Sequence, residues 1–326
     1  MTHTRDNTLS PGRGMRQSWW GVSCLIATIA FVSGCGAAQL GMCAPHAKEE
    51  GSPTRNWAEC FNKPFAHAGI THSVFCLDDG TAKPPVLLLH EMTGLTPGTL
   101  AYAEELSKDF TVYVPLLFGE KGTFSPVSGL WAYWFRGMAE FGPGGEWGVP
   151  TQGSTPIVSW LRGVVQTIGG RHAQQRIGII GNCMTGPIPL ALLDHPRVRA
   201  AVVAQPALPM RFWWYTDEDR SSLGLSADDL EIARRSHAKI YGLRFETDCM
   251  ADRAKHLTLR HEFDDRFLDG EIPAGAYQPD GTPINVHSTL IGSWKAAEAT
   301  GQPSRDARER VRAFLLKELD ATGPEG

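Results

Sequence analysis

From about residue 65 onward, the chain alternates short apolar runs with longer amphipathic stretches. The continuous apolar run 86–89 is typical of a strand that is buried on both faces of a sheet, and 198–203 has the pattern of a further strand. The stretches between the runs, such as 96–108 and 156–169, have the spacing of helices. The sequence therefore predicts an α/β fold, in which a doubly wound, mostly parallel sheet carries helices on both faces.

The composition fits one large globular domain. The chain has 326 residues, of which 42% are hydrophobic and 20% are charged, and this is enough to bury a sizeable core. The formal net charge of −4 provides no basic field for a polyanion, so nucleic acid is not an expected partner. No pair of histidines or cysteines has the spacing of an HExxH or CxxC site, and we expect neither a metal nor another cofactor.

The amino-terminal segment has the pattern of an export signal. Two arginines precede the apolar run 19–32, and the small residues 33–34 separate that run from Cys35. A basic region, an apolar core and small residues before a cleavage point define a secretory signal, and the run is short for a membrane-spanning helix. Residues 32–35, Val-Ser-Gly-Cys, resemble the lipobox of bacterial lipoproteins, in which the cysteine receives the lipid.

We therefore expect residues 1–34 to be removed and Cys35 to carry a lipid that anchors the protein in the bacterial cell envelope, at a periplasmic or outer surface. A plain signal peptide that is cut nearby and a single anchoring helix are the alternatives. Both alternatives also place the protein outside the cytoplasm.

A tether and a folded domain are expected to follow. Residues 35–64 are small, polar and interrupted by prolines, which is typical of a linker, and residues 65–322 form the predicted domain. Because an exported protein can oxidise its thiols, we expect one disulfide among Cys43, Cys60 and Cys76. The sequence does not indicate which two of them pair.

The most specific motif is the segment 178–186, Gly-Ile-Ile-Gly-Asn-Cys-Met-Thr-Gly. A buried strand enters a predicted helix over 184–193 through a turn with glycines on both sides, and such a turn presents its central side chain at the sheet edge. That side chain is the thiol of Cys183. The free N–H groups at a helix N-terminus favour a thiolate, so the motif predicts a nucleophile. The alternative is a buried cysteine that packs as a small hydrophobic residue.

Three segments together resemble one known family. They are the strand and turn 89–95 (Leu-His-Glu-Met-Thr-Gly-Leu), the elbow 181–186 (Gly-Asn-Cys-Met-Thr-Gly) and the late segment 286–288 (Val-His-Ser). Over about residues 70–320 the chain resembles the dienelactone hydrolase family. The resemblance implies the α/β-hydrolase fold and hydrolysis of an ester or lactone by Cys, Asp and His in that order. The family elbow is Gly-x-Cys-x-Gly-Gly, and here Thr185 replaces the first of the paired glycines.

The proposed nucleophile requires a base, and the base requires an acid that fixes its tautomer. Asp248 follows the predicted strand 240–245, at the carboxyl end where the orienting acid belongs. His287 has the late loop position that the chain order of the family requires. Glu246 and Asp252 lie close to Asp248 and are competing candidates for the acid.

The turn after the strand 86–89 is expected to complete the site. By resemblance, Glu91 interacts with the cysteine in the resting enzyme and helps to control its ionisation, whereas the alternative is a solvated loop glutamate. The backbone N–H groups of Met92 and Met184 are the expected donors to the oxyanion.

The substrate is predicted from two further features. Trp131, Trp134 and Trp213 lie on two loops that leave the carboxyl edge of the sheet, and we expect them to line the substrate cleft rather than to patch the core. Members of the family that cleave dienelactone bind its carboxylate with two arginines. Here the corresponding places are residues 116–120, which contain no arginine, and Ile291. A neutral and apolar ester or lactone is therefore the expected substrate.

The leading hypothesis is a two-step acyl transfer in which Cys183 forms an acyl-enzyme. Three alternatives stay open. A thioesterase would use the same residues, a lipid-tethered binding protein would have the fold without turnover, and a redox-sensing protein would use Cys183 or Cys249. A binding protein would not need the complete set of Cys, His and Asp, so that set favours an enzyme.

Overall fold

The computed structural model describes most of the chain between residues 54 and 320. The described residues are 54–55, 57–61, 63–91, 94–119, 121, 145–148, 153–209, 216–248, 250–273, 287–291 and 303–320. The predicted signal 1–34, Cys35 and most of the predicted tether lie outside them.

Ten strands occur in this part of the chain, and eight of them form a single sheet. The strands are β1 (Ala58–Glu59), β2 (Phe65–His67), β3 (Ile70–His72), β4 (Val74–Leu77), β5 (Pro85–Leu88), β6 (Thr111–Pro115), β7 (Ile177–Asn182), β8 (Val198–Ala204), β9 (Lys239–Phe245) and β10 (Phe267–Ile272).

The sheet has the order β1-β4-β6-β5-β7-β8-β9-β10, and β2 pairs with β3 in a separate hairpin. The six strands β6, β5, β7, β8, β9 and β10 are parallel to one another, whereas β4 runs antiparallel to both β1 and β6. The predicted doubly wound, mostly parallel sheet is confirmed. β1 lies within the segment that we predicted as a tether, and its pairing with β4 extends the sheet to that residue range.

Seven α-helices accompany these strands in the described residues. They are α1 (Pro97–Leu106), α2 (Pro156–Arg171), α3 (Ile188–Ala191), α4 (Asp217–Ser221), α5 (Ala227–Arg235), α6 (Arg253–Phe263) and α7 (Pro303–Leu319). α1 and α2 begin in the same way, at a threonine followed by a proline. The hydroxyl oxygens of Thr96 and Thr155 accept hydrogen bonds from the backbone N–H groups of Thr99 (3.2 Å) and Val158 (3.4 Å). The threonine thus satisfies an otherwise free N–H, and the proline fixes a helical φ in the first turn.

The sheet buries a hydrophobic cluster on each face. Because side chains alternate along a strand, Leu87 of β5 packs into one cluster and Leu88 into the other. α1 and α7 cover the Leu88 face, while α2, α3, α5 and α6 contribute to the cluster on the Leu87 face. This layered arrangement holds the strand ends rigidly where they meet the site.

Two local features can be compared with the sequence prediction. One differs from it, and the other decides between alternatives that the sequence left open. The predicted helix 184–193 is a 3₁₀ turn, Cys183–Thr185, followed by the short α3, because Pro187 and Pro189 lack the N–H groups that a continuous helix needs. Cys60 and Cys76 form the expected disulfide, with their Cα atoms 5.4 Å apart. Cys43 lies outside the described residues. In the part of the chain that the structure describes, no helix is long and apolar enough to cross a bilayer.

Candidate active site

The carboxyl edge of the sheet brings four predicted site residues together. Glu91 follows β5, Cys183 follows β7 directly, and Asp248 follows β9. His287 belongs to the described segment 287–291 and is hydrogen-bonded to Asp248. In the sheet, β5 lies between β6 and β7, so the chain continues first to one side of β5 and then to the other. Open α/β sheets bind ligands at such a switch point.

The elbow holds Cys183 in a strained conformation. Its φ is 56°, in the left-handed region that a side chain rarely occupies, and the residue is only 4% exposed. A Cβ at Gly181 would overlap the carbonyl oxygen of Thr185 and lie 2.7 Å from Cδ of Pro189. A Cβ at Gly186 would lie 2.8 Å from the carbonyl oxygen of Cys183. Both glycines are therefore required for the close backbone approach that shapes the turn.

Thr185, the departure from the family elbow, links two segments of the site. Its hydroxyl oxygen accepts a hydrogen bond from the backbone N–H of Asn182 at 3.0 Å. The same hydroxyl lies 2.9 Å from the carbonyl oxygen of Asn182, 3.2 Å from that of His90 and 3.3 Å from that of Leu89, and it can donate to one of the three. The amide of Asn182 also donates to Leu89, at 3.0 Å. The threonine thus fits without displacing Cys183, and it ties the elbow to the end of β5.

Asp248 and His287 form a buried pair, each only 6% exposed. Nδ1 of His287 lies 2.9 Å from both carboxylate oxygens of Asp248. Oδ1 of Asp248 also accepts hydrogen bonds from the backbone N–H groups of Met250 (2.8 Å) and Ala251 (2.9 Å). The carboxylate therefore fixes the histidine with Nδ1 as the donor, which leaves Nε2 to exchange a proton.

Neither competing acid pairs with this histidine. The carboxylate of Asp252 accepts a hydrogen bond from the backbone N–H of Ala254 at 3.0 Å and caps α6, and Glu246 is exposed. Asp248 is thus the acid that the fold brings to His287.

The charge state of His287 is set by its surroundings. Burial disfavours the imidazolium, but the negative charges of Asp248 and Cys183 outweigh it and hold the pKa of His287 well above its ordinary value. Among the described residues, Nε2 has no hydrogen bond of good geometry, although the thiol is close enough for its charge to act. Catalytic hydrogen bonds are often loose without substrate. The imidazolium is therefore the favoured state of His287.

Glu91 is held by specific donors, in contrast to a freely solvated loop glutamate. The hydroxyl of Ser288 donates to its carboxylate oxygens, at 3.0 and 3.1 Å, and Nε2 of Gln205 donates to Oε2 at 3.3 Å. Burial raises the pKa of Glu91, while the charge of His287 and these two donors oppose that increase. The charge of His287 therefore acts directly on Glu91.

Gln205 is a site residue that our sequence analysis missed. It follows β8 with a φ of 35° and is fully buried. Its Oε1 accepts hydrogen bonds from the backbone N–H of Thr289 (3.2 Å) and from the Thr289 hydroxyl, while its Nε2 binds Glu91. One amide thus joins the loop of Glu91 to the loop of His287. The available signal was a polar residue directly after a predicted strand, at the same edge as Glu91 and Asp248.

His90, which precedes Glu91, is a structural residue. Its Nε2 accepts a hydrogen bond from the backbone N–H of Leu117 at 3.0 Å, so Nδ1 carries the proton and donates to the carbonyl oxygen of Glu91 at 3.0 Å. Burial lowers the pKa of His90 to about 4 and keeps it neutral. His90 therefore fixes the turn after β5 and does not serve as a base.

The predicted oxyanion donors are only partly described. Met184 is buried in the first turn after the nucleophile, where backbone N–H groups lack acceptors within the helix. Its N–H is therefore available to a ligand. Met92 lies outside the described residues.

The two places that the family fills with arginine are apolar in the described part of the chain. Leu117 and Ile291 are each 1% exposed and belong to the hydrophobic clusters. The predicted cleft residues Trp131, Trp134 and Trp213 lie outside the described residues. Across the described residues, no group of three or more His, Cys, Asp or Glu side chains is arranged to hold a metal ion.

Comparison with known proteins identifies the fold. A dienelactone hydrolase from Anabaena variabilis matches with a TM-score of 0.52 and 11% identity, over 81% of this chain and 98% of its own. A dienelactone hydrolase-like promiscuous phosphotriesterase from metagenomic libraries matches with a TM-score of 0.51 and 13% identity, over 81% and 98%. An esterase from Pyrococcus furiosus matches with a TM-score of 0.50 and 11% identity, over 85% and 99%.

No protein-family model matches the chain, and no curated protein does. At identities this low, the similarity establishes the α/β-hydrolase fold and leaves the chemistry to the residues themselves.

Proposed function

We propose that this chain is a carboxylic ester hydrolase of the dienelactone hydrolase type, with Cys183 as nucleophile, His287 as base and Asp248 as the orienting acid. The observation that carries the proposal is the buried pair of His287 and Asp248, 2.9 Å apart, beside a thiol on a strained elbow. A binding protein would not require a buried ion pair whose free nitrogen is next to a nucleophile.

The reaction proceeds in two steps. The thiolate of Cys183 attacks the carbonyl carbon of the ester, and the electron pair of the C=O bond moves to the oxygen. The resulting oxyanion accepts hydrogen bonds from the backbone N–H groups of Met184 and Met92. As the C–O bond breaks, the imidazolium of His287 gives its proton to the leaving alcohol. Water then attacks the thioester, His287 takes the proton of the water, and the carboxylic acid leaves as Cys183 is released.

Glu91 has a role in the resting state of this mechanism. Its carboxyl group is held by Ser288 and Gln205 and interacts with the charge of His287. A negative charge there competes with the thiolate for the imidazolium, so Glu91 influences how much of Cys183 is ionised before substrate arrives.

The proposed substrate is neutral and apolar. Residues 116–120, which contain no arginine and end in Glu120, and Ile291 occupy the two places where an arginine would bind a carboxylate, so neither place supplies a cation and Glu120 would repel the anion. A carboxylated lactone would lose two charge-assisted hydrogen bonds, each worth about 1.5–3 kcal/mol. Trp131, Trp134 and Trp213 are the proposed aromatic walls of the cleft.

The proposed location is the bacterial cell envelope, with the domain anchored through a lipid on Cys35. The disulfide between Cys60 and Cys76 supports an oxidising compartment, because cytoplasmic thiols are kept reduced. Membrane partition of the wild type, and its loss in Cys35→Ala, tests this location; a soluble cytoplasmic wild type would contradict it.

The function is tested with a panel of short aryl esters, neutral lactones, thioesters and a carboxylated lactone. Wild type should hydrolyse the neutral esters and accumulate an acyl group on Cys183, detected by mass spectrometry, and Cys183→Ala should be folded and inactive. Preferential turnover of thioesters would identify the thioesterase alternative. Ester turnover that persists in Cys183→Ala, or no turnover of any member by the wild type, would contradict the proposal.

A further inference from the structure

Arg244 is a buried charge outside the triad, at the carboxyl end of β9. Its side chain is only 2% exposed. Nε donates to the carbonyl oxygen of Ala251 at 3.0 Å, Nη2 donates to that of Glu246 at 3.1 Å, and Nη1 pairs with the carboxylate of Glu271 on β10. A buried guanidinium needs such partners, and its planar fork of donors imposes their geometry.

The two carbonyl groups that Arg244 binds lie on either side of Asp248 in the loop 246–251, which follows β9. Within that loop, the backbone N–H of Ala251 donates to Oδ1 of Asp248 at 2.9 Å. Ala251 is therefore bound on both sides, to the carboxylate through its N–H and to the guanidinium through its carbonyl oxygen. The guanidinium fixes the backbone that in turn fixes the carboxylate.

We propose that Arg244 is a positioning residue of the active site, which holds the loop 246–251 in the shape that aims Asp248 at His287. Arg244 does not touch the reacting atoms, and it matters to catalysis only if the proposed hydrolysis takes place, so this role rests on the proposed function. Its effect on His287 is nevertheless measurable without any substrate.

Other charged groups surround the guanidinium. Glu271 also lies 3.7 Å from the guanidinium of Arg253, and Asp269 on β10 binds both His256 and Arg260 of α6. Burial lowers the pKa of His256 to about 4, so it stays neutral throughout the pH range in which His287 would be titrated. His256 therefore does not titrate together with His287, and the matched control below separates the Arg244 contacts from other effects.

The test is Arg244→Lys. A single ammonium group cannot bind two carbonyl groups and a carboxylate in one plane, so the loop should loosen. We expect the pKa of His287, measured by NMR of the imidazole, to fall toward its ordinary value because Asp248 stabilises the imidazolium less well. We also expect kcat for a neutral aryl ester to fall about 10- to 100-fold with little change in KM.

Arg162→Lys is the matched control. Arg162 of α2 likewise donates to a backbone carbonyl, that of Ala191 at 2.8 Å, and to a carboxylate, that of Asp229 at 2.8 Å. None of these described contacts involves the triad, so the control should lose thermal stability without changing the pKa of His287. An equal change of that pKa in both lysine variants would overturn the proposal, and so would an unchanged pKa in a folded Arg244→Lys.

If Arg244→Lys does not fold, Glu271→Gln keeps the two carbonyl contacts and weakens the ion pair that orients the guanidinium of Arg244, together with the longer pair to the exposed Arg253. A smaller fall of the pKa of His287 is then expected, and an unchanged pKa would overturn the proposal. A wild type that hydrolyses no ester would contradict the proposed function, while the NMR titration would still report whether Arg244 positions Asp248.

Discussion

The two halves of the proposed active site are held in place by different means. The nucleophile half, residues 178–186, is fixed by its own backbone, in which glycines allow the close approach that forces Cys183 to a φ of 56°. The base half consists of Asp248 and His287, which are 39 residues apart and are fixed by side-chain hydrogen bonds. One half is thus encoded locally, and the other is assembled by the fold.

This difference predicts different sensitivities. The elbow should respond strongly to any atom added to its backbone, because neighbouring segments leave no space. The assembled half should respond to the loss of single donors or charges, because each contact there is specific and buried. The four variants and conditions below separate these two kinds of dependence.

The largest effect is expected from Asp248→Asn in the assembled half. The asparagine amide can donate to Nδ1 and stabilise the wrong tautomer of His287, so kcat should fall about 10⁴-fold in an aryl ester assay. Asp252→Asn is the control, because asparagine is as good a helix cap as aspartate, and its activity should be unchanged. Equal losses in the two variants would show that Asp248 has no special role.

The next effect is expected from Gly181→Ala in the elbow. Its Cβ would overlap the carbonyl oxygen of Thr185. The free energy of unfolding, measured in urea, should therefore be lower by about 2–3 kcal/mol or more. Gly170→Ala in α2 is the control, because no atom lies within 4 Å of its Cβ position. It should stabilise the protein by about 0.5–1 kcal/mol. A neutral Gly181→Ala would argue against the tightly packed elbow.

The third effect concerns pH. The folded-state pKa of His287 is raised above its ordinary value of 6.5, so the stability that its charge contributes is fully present below pH 6.5 and is lost as the pH rises through the folded pKa. Each pH unit in that window should remove up to about 1.4 kcal/mol. Urea unfolding of the wild type across this window should show the loss, and Asp248→Asn should show a shallower one. Parallel pH dependences would contradict the charge assignment.

The smallest effect is expected from Gln205→Met, which has a similar shape without the amide. Removing the amide of Gln205 takes one hydrogen-bond donor from Glu91, which should raise the pKa of that carboxyl group further. It also leaves the backbone N–H of Thr289 without its acceptor on Gln205. We expect about a 10-fold lower kcat/KM. Because a less ionised Glu91 competes less with the thiolate for the imidazolium, the pH dependence of Cys183 alkylation by iodoacetamide should also move to lower pH.

Gln175→Met is the matched control for this variant, since Gln175 is half-buried and binds only His172 among its described hydrogen-bond partners. It should leave both measurements unchanged. If the alkylation profile of Gln205→Met coincided with that of the control, Gln205 would have no effect on the ionisation of Cys183.

The sequence predicted the features that depend on local patterns. The central strand β5 was recognisable because the run 86–89 is continuously apolar, as burial on both faces requires. β10 was not predicted, because Phe-Leu-Asp-Gly-Glu-Ile over 267–272 mixes polar and apolar residues at the exposed edge of the sheet. The helix expected over 184–193 is shorter because two prolines outweigh the apolar pattern.

The same distinction applies to the site. Cys183 was recognisable from its glycine neighbours, and Asp248 from its position after a strand. Gln205 was not recognisable, because its partners Glu91 and Thr289 are 114 and 84 residues away. Contacts of this kind depend on three-dimensional packing, which spacing along the chain does not report.

The disulfide between Cys60 and Cys76 has a consequence for the order in which the protein matures. It closes a short loop, with a sequence separation of 16, at the amino-terminal edge of the sheet. In the exported protein that we propose, this edge emerges first, so the loop can oxidise before Glu91, Cys183 and His287 have crossed the membrane. By restricting the unfolded chain, a closed loop of about this length raises the free energy of the unfolded state by about 3 kcal/mol. The disulfide then provides a preformed edge with which the later strands can pair. Cys60 and Cys76 are also already oxidised when Cys183, the proposed nucleophile, is exported.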